Sequence, residues 1–153
     1  MPTIEIDGKK VTVPDGWNVI QAAEKLDIEV PHYCYHPGLS ISGNCRMCLV
    51  EIEKMPKLQI ACNTKVTEGM VVKTTSPKAK AAQAAVLEFI LVNHPIDCPI
   101  CDQAGECKLQ DYYMDYGKHH SQIPLEAKVE KKKVVDIGPE VVLDQERCIL
   151  CAR

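Results

Sequence analysis

The sequence predicts an α+β fold divided into small units that metal sites hold together. Two alternating segments flank an Asp-Gly pair near the N-terminus, an Ala-rich helical segment follows in mid-chain, and nine cysteines occur among 153 residues. Only 5% of the residues are aromatic, with one Trp and one Phe, which argues against one large core packed on aromatic rings. Small cores gain folding free energy from bound metal. The 46% apolar content indicates a globular chain.

The first 73 residues predict one small sheet packed on one helix. Residues 3–13 alternate apolar and polar around Asp7-Gly8, the strongest short signal for a hairpin. Helical spacing of apolar residues covers residues 18–26. Further strands are expected at residues 49–52, 57–60 and 70–73. A long loop rich in Pro, Gly and Ser runs from Pro31 to Gly43.

A second unit is predicted to begin at Ser76-Pro77, where Ser suits an N-cap and Pro the first helical position. The helix should run to Val92, with Ala82, Val86, Phe89 and Ile90 at core spacing. Asn93-His94-Pro95 should stop it, because the residue before Pro95 is pushed out of the helical region. A shorter helix is expected over residues 106–116, an exposed connection over 118–133, and short strands at 134–136 and 141–143.

The first group of cysteines has a spacing that suits an iron–sulfur cluster. It reads C-x10-C-x2-C-x13-C and comprises Cys34, Cys45, Cys48 and Cys62. One close pair with two distant partners suits a [2Fe–2S] rhombus, as in the plant-type spacing with its first gap widened. A four-cysteine zinc site remains the alternative, although zinc sites more often contain two C-x2-C pairs.

The second group combines three cysteines with a histidine. It reads H-x3-C-x2-C-x5-C and comprises His94, Cys98, Cys101 and Cys107. A neutral imidazole could complete the coordination of a [4Fe–4S] cluster and would leave it less negative than four thiolates do. Two alternatives stay open: His94 only caps the preceding helix, or the four residues bind zinc.

The third group is incomplete within this sequence. Cys148 and Cys151 form a C-x2-C pair that resembles the start of a bacterial four-iron cluster motif, and no further donors follow. Taken by itself, this pair is interpreted as two free, inert thiols.

Several function classes lack support in the sequence. The net charge of −3 argues against a general nucleic-acid partner, and no stretch of 18 apolar residues predicts a membrane span. No nucleotide-binding or hydrolase motif is present, so no catalytic residues are predicted. The N-terminus lacks an export signal, which predicts a reducing compartment where thiols serve as metal ligands rather than disulfides.

Five runs of residues are similar to the N-terminal part of the large iron–sulfur subunit of respiratory complex I. They are 34–39 (CYHPGL) with 45–51 (CRMCLVE) and 55–59 (MPKLQ), 93–110 (NHPIDCPICDQAGECKLQ), and 147–151 (RCILC). The resemblance covers nearly the whole chain, and the set formed by 93–110 and 147–151 is very specific. This sequence departs from the family by ending before the remaining ligands of the third group, so it resembles a fragment.

The resemblance implies a fold and a ligand set. It implies a β-grasp [2Fe–2S] ferredoxin domain at 1–77, a small mostly helical [4Fe–4S] domain at 78–128, and the start of a truncated second [4Fe–4S] domain at 129–153. The implied ligands are Cys34, Cys45, Cys48 and Cys62 for [2Fe–2S], and His94, Cys98, Cys101 and Cys107 for [4Fe–4S]. Cys148 and Cys151 would belong to the incomplete second [4Fe–4S] site.

The resemblance also implies a function: relaying single electrons from a flavin- and NADH-binding subunit toward quinone, in an NADH:quinone oxidoreductase that translocates protons. The chain alone would be an electron carrier with no substrate site of its own. Its partners would be the flavin subunit and other peripheral-arm subunits, on the cytoplasmic side of a bacterial inner membrane. The alternatives are the electron-input module of an NAD-linked hydrogenase or formate dehydrogenase and, more remotely, a zinc-stabilised assembly module.

Overall fold

A computed structural model describes all residues, 1–153, and contains seven strands and three helices. The strands are β1 Thr3–Ile6, β2 Lys9–Thr12, β3 Leu49–Ile52, β4 Gln59–Ile60, β5 Val71–Lys73, β6 Val134–Asp136 and β7 Val142–Asp144. The helices are α1 Val19–Glu24, α2 Pro77–Leu91 and α3 Lys108–Tyr116. The backbone divides into two compact units, residues 1–83 with 152 and residues 84–151 with 153. The finer division at residues 77 and 128 stays a prediction.

The first unit is built on a mixed five-stranded sheet in the order β2-β1-β5-β3-β4. β1 and β2 form the predicted hairpin, with Asp7 at φ 47° and Gly8 at φ 83°, the two positive angles that a type I′ turn requires. β5 then pairs in parallel with β1, with Ile6 opposite Val72. A hairpin, a helix and a last strand returning beside the first is the β-grasp arrangement that the resemblance implies.

The core of the first unit lies between the sheet and α1. Asn18 caps α1: its side-chain oxygen accepts from the Gln21 backbone N–H at 3.0 Å, and the Gln21 side chain accepts from the Asn18 N–H at 3.0 Å. α1 buries Val19 and Ile20 against the sheet residues. Burying each such side chain stabilises the unit by about 1.5–3 kcal/mol.

The buried face of α2 differs from the predicted face. Ala79, Gln83 and Leu87 are buried, whereas Phe89, predicted at a core position, has 81% of its surface exposed. Ala-rich segments carry little periodic signal, and the true face includes a polar residue that the pattern treats as exterior. The Gln83 amide donates to the Leu49 carbonyl oxygen at 3.2 Å, which makes its burial tolerable.

The second unit contains α3 and the β6–β7 hairpin, with Val135 opposite Leu143. Three acidic and two basic side chains tie this hairpin to the loop after α2. Arg147 donates to the Asp97 carboxylate at 2.8 Å, and Lys133 lies 3.2 Å from Glu146 and 3.9 Å from Asp144. None of the helices is both long enough and apolar enough to cross a membrane.

Candidate metal centres

The structure brings the four thiols of the first group together. Cys34 lies in the loop between α1 and β3, Cys45 and Cys48 flank the turn that leads into β3, and Cys62 follows β4. The side chains of Cys34, Cys48 and Cys62 are each 1% exposed, and Cys45 is half-buried. The Ala61 N–H donates to the Cys48 carbonyl oxygen at 2.9 Å, which holds the turn that carries Cys62 beside the turn that carries Cys48.

The thiols of this group interact in pairs. Cys48 donates a hydrogen bond to the Cys62 sulfur, which together with burial raises the pKa of Cys48 far above its usual value. Accepting that bond lowers the pKa of Cys62. Burial raises the pKa of Cys45, whose thiol is also hydrogen-bonded to Cys34. Three buried thiols and one half-buried thiol, hydrogen-bonded in two pairs, form a donor set that suits a thiolate-bound cluster.

Backbone geometry shapes the loop around these thiols. Gly43 has φ +64°, and a Cβ at this position would stand 3.3 Å from the Ile60 side chain, so a larger residue would be strained there.

His32 and His36 flank Cys34, and each ring is hydrogen-bonded to a backbone group two residues away. The His32 Nδ1 lies 2.8 Å from the Val30 carbonyl oxygen, and the His36 Nδ1 accepts from the Gly38 N–H at 3.1 Å.

The second group lines one cavity. Cys98 begins a single 3-10 turn, Cys101 ends it, and Cys107 is the N-cap residue of α3. The side chains of His94, Cys98, Cys101 and Cys107 all line a cavity of about 410 Å³ in the second unit. This cavity is large enough for a cluster and presents three soft donors and one imidazole, so the residues fit a four-iron group.

The His94 ring is half-buried in this wall. Burial lowers the pKa of His94, and the positive charges of Lys128 and Arg147 act in the same direction while Asp97 opposes them. The imidazole is therefore held in its neutral form, which is the form that binds a metal.

The end of α2 is capped by a lysine and not by the His94 imidazole. The Lys128 ammonium donates to the carbonyl oxygens of Leu91, Val92 and His94 at 2.8, 3.1 and 3.0 Å. The connection over residues 118–133 is exposed at most positions, as expected, but Lys128 is half-buried. No pattern in the sequence indicates this contact, since its partners lie 34 to 37 residues away.

The third group is only partly assembled. Cys148 is exposed and lines a second cavity of about 270 Å³, whose wall also includes His94. Cys151 is half-buried and lies between Leu150 and Ala152, which both have positive φ angles. The Arg147–Asp97 ion pair connects this segment to the loop that contains Cys98.

No group of three or more His, Cys, Asp or Glu side chains stands at the spacing of a single-ion site. Two observations support a metal centre: the hydrogen-bonded thiols of the first group and the cavity that the second group lines. Both donor sets can surround a cluster of several ions rather than a single ion.

Comparison with known proteins identifies both regions. The family described as "2Fe-2S iron-sulfur cluster binding domain" matches residues 1–77, and "NADH-ubiquinone oxidoreductase-G iron-sulfur binding region" matches residues 83–122. The chain is 50% identical to the mitochondrial NADH-ubiquinone oxidoreductase 78 kDa subunit of Neurospora crassa, over 98% of this chain and 20% of that protein. It is 48% identical to a subunit of the NADH-quinone oxidoreductase of Streptomyces coelicolor, over 99% of this chain and 18% of that protein.

A solved structure is similar over the same extent. A crystal structure of NAD+-reducing [NiFe]-hydrogenase in the H2-reduced state superposes with a TM-score of 0.83 at 27% identity, covering 99% of this chain and 63% of that chain. The chain spans about a fifth of the length of the curated relatives it matches.

Proposed function

The chain belongs to the family of 2Fe-2S iron–sulfur cluster binding domains, and on that premise we propose that it is an electron-relaying module of an NADH:quinone oxidoreductase. The family matches confirm the predicted cofactors, a [2Fe–2S] and a [4Fe–4S] cluster. A bound iron–sulfur cluster accepts and releases single electrons. Two observations support the proposal: the thiols of the first group are hydrogen-bonded in the first unit, and the second group lines one cavity in the second unit.

The residues of this chain would hold and shield the clusters. Cys34, Cys45, Cys48 and Cys62 are the proposed [2Fe–2S] ligands, and His94, Cys98, Cys101 and Cys107 are the proposed [4Fe–4S] ligands. Burial of three thiols in the first group excludes water. Low solvent exposure is one of the properties that set the reduction potential of such a centre.

Cys148 and Cys151 are proposed as two ligands of a further [4Fe–4S] site. The exposure of Cys148 supports this, because a thiol left at a surface is accessible to additional donors. The remaining ligands would follow Arg153 in a longer chain.

The partners follow from the same proposal. Electrons would come from a flavin- and NADH-binding subunit and leave toward a quinone-reducing end, with the module held peripherally on the cytoplasmic side of a bacterial inner membrane. The 48% identity with the Streptomyces protein supports an oxidoreductase of the NADH-quinone class.

A second candidate is the input module of an NAD-linked hydrogenase. The 0.83 TM-score with the hydrogenase chain favours it, but the identity of 27% is well below the 48–50% of the oxidoreductase relatives. Neighbouring genes for membrane proton-pumping subunits would support the first candidate, and neighbouring genes for nickel-site subunits would support the second.

The test is a metal and sulfide analysis of the anaerobically prepared chain. We expect about six irons and six acid-labile sulfides per chain if one two-iron and one four-iron cluster form. NADH alone should leave the clusters oxidised, and NADH with a flavin subunit should reduce them. Stoichiometric zinc without sulfide would refute the electron-relay proposal and favour a zinc-stabilised module.

A further inference from the structure

The proposed ligand sets do not account for the contact between Lys128 and the C-terminal end of α2. An ammonium group has three donors, and here all three meet carbonyl oxygens, those of Leu91, Val92 and His94 at 2.8 to 3.1 Å. Carbonyls at a helix end lack intrahelical partners and carry the negative end of the helix dipole, so a cation is stabilised there.

The same segment is attached to the helix end a second time. The Val129 N–H donates to the Asn93 side-chain oxygen at 2.9 Å. Two successive residues, Lys128 and Val129, therefore bind all four residues from Leu91 to His94, where the helix ends and the loop that contains the cysteines begins. On the other side of His94, the Asp97 carboxylate is held by Arg147 at 2.8 Å.

We propose that Lys128 is a positioning residue for the four-iron site, acting through the backbone of His94. This inference rests on the proposed function, in which His94 is a ligand. The imidazole and the bonded carbonyl belong to the same residue, so fixing the carbonyl restricts where the ring can lie. Without the ammonium group, the chain between Asn93 and Asp97 could turn the ring away from the three cysteines.

Lys128 has a second effect on the same site, through its charge. It lines the cavity that His94 and the three cysteines share. A positive charge beside a centre that carries three thiolates favours the reduced form, which is more negative by one unit. Removing the charge should therefore shift the equilibrium toward the oxidised form.

The experiment compares variants of the full chain with both clusters reconstituted. Lys128→Met removes the charge and the donors at similar length, and Lys128→Arg keeps both. Lys132→Met removes a charge at an exposed position in the same segment. Pulsed EPR measures the ¹⁴N coupling of the His94 ring to the reduced cluster, and EPR at fixed potential measures the ratio of oxidised to reduced cluster. The [2Fe–2S] signal controls for folding of the first unit.

For Lys128→Met we expect at least twofold fewer clusters with the ¹⁴N coupling, and a ratio of oxidised to reduced cluster raised about tenfold, equivalent to about 59 mV for one electron. Lys128→Arg and Lys132→Met should change either measure less than about twofold. A Lys128→Met chain that keeps the ¹⁴N coupling and the oxidised-to-reduced ratio of the wild type would show that Lys128 only caps the helix. That result would overturn the positioning role of Lys128 and leave the proposed function intact.

A further variant separates position from charge and serves if Lys128→Met does not fold. Asn93→Ala loosens the same segment and leaves the ammonium group in place. We expect it to weaken the coupling while changing the ratio less than about twofold, and an unaltered coupling would overturn the positioning role. A wild-type chain whose four-iron cluster has no ¹⁴N coupling would instead overturn the ligand set, and the role of Lys128 with it.

Discussion

Replacing His94 with cysteine tests most directly the proposed histidine ligand of the second site. The variant presents a thiolate where the wild type presents a neutral imidazole, which adds one negative charge beside the cluster. The position is half-buried in the cavity that Cys98, Cys101 and Cys107 line. If the proposed ligation holds, the cluster should persist in His94→Cys, because four thiolates also complete its coordination.

The size of the expected shift in reduction potential follows from the half-buried position of the His94 ring. Two unit charges about 4 Å apart interact by about 4 kcal/mol at the effective dielectric of about 20 that suits a half-buried site. About 1.4 kcal/mol corresponds to a factor of ten, and a factor of ten to about 59 mV for one electron. The added charge should therefore lower the reduction potential by about 170 mV.

The assay is a redox titration of the [4Fe–4S] signal by EPR in the wild type and in three variants. His94→Cys should show the lowered potential. His94→Ala removes the donor and should leave a labile site that loses iron toward a three-iron form. His120→Cys, which adds a thiol at an exposed position of the cavity wall, serves as the control and should leave the potential unchanged.

One result would refute the reasoning. If His94→Cys and His94→Ala both keep an unchanged four-iron signal and potential, His94 is not a ligand.

Three further predictions concern the first unit and α2. Cys62→Ser should lose the [2Fe–2S] cluster and loosen its loop while α2 stays helical, leaving about four irons per chain by metal analysis; a full [2Fe–2S] spectrum would remove this residue from the ligands. Leu87→Ala should lower the free energy of unfolding, measured in urea, by about 3 kcal/mol, because the Leu87 side chain is 1% exposed. Phe89→Ala should lower it by less than about 0.5 kcal/mol, because Phe89 is 81% exposed. Equal losses of stability would contradict the observed buried face of α2. Asp7→Ala should lower the free energy of unfolding by about 2 kcal/mol, because the Asp7 carboxylate accepts from both the N–H and the hydroxyl of Thr74. Circular dichroism during thermal unfolding measures this loss, with Asp7→Asn as the milder control.

The local elements of the first unit were predictable because their signals are local. Asp7-Gly8 selects the hairpin turn, since few other residues accept two consecutive positive φ angles. Asn18 and Gln21 form a capping box readable within four residues. The parallel pairing of β1 with β5 joins residues more than 60 positions apart. It was expected only through the family resemblance.

Helix α2 shows where pattern reasoning fails. Its apolar residues suggested a face through Val86 and Phe89, yet the buried face passes through Gln83 and Leu87. A sequence pattern treats Gln as a surface residue. Only the position of the Leu49 carbonyl, 34 residues earlier, makes its burial acceptable.

By itself, the sequence determined which residues can serve as cluster donors, because the spacing of Cys45 and Cys48, or of Cys98 and Cys101, is a local property of the chain. It also determined the type of secondary structure around them. Only the tertiary structure decided that Lys128 and Arg147 lie beside the second site. Hydrogen bonds and ion pairs between residues 34 to 50 positions apart depend on how the chain folds back, and no periodicity records them.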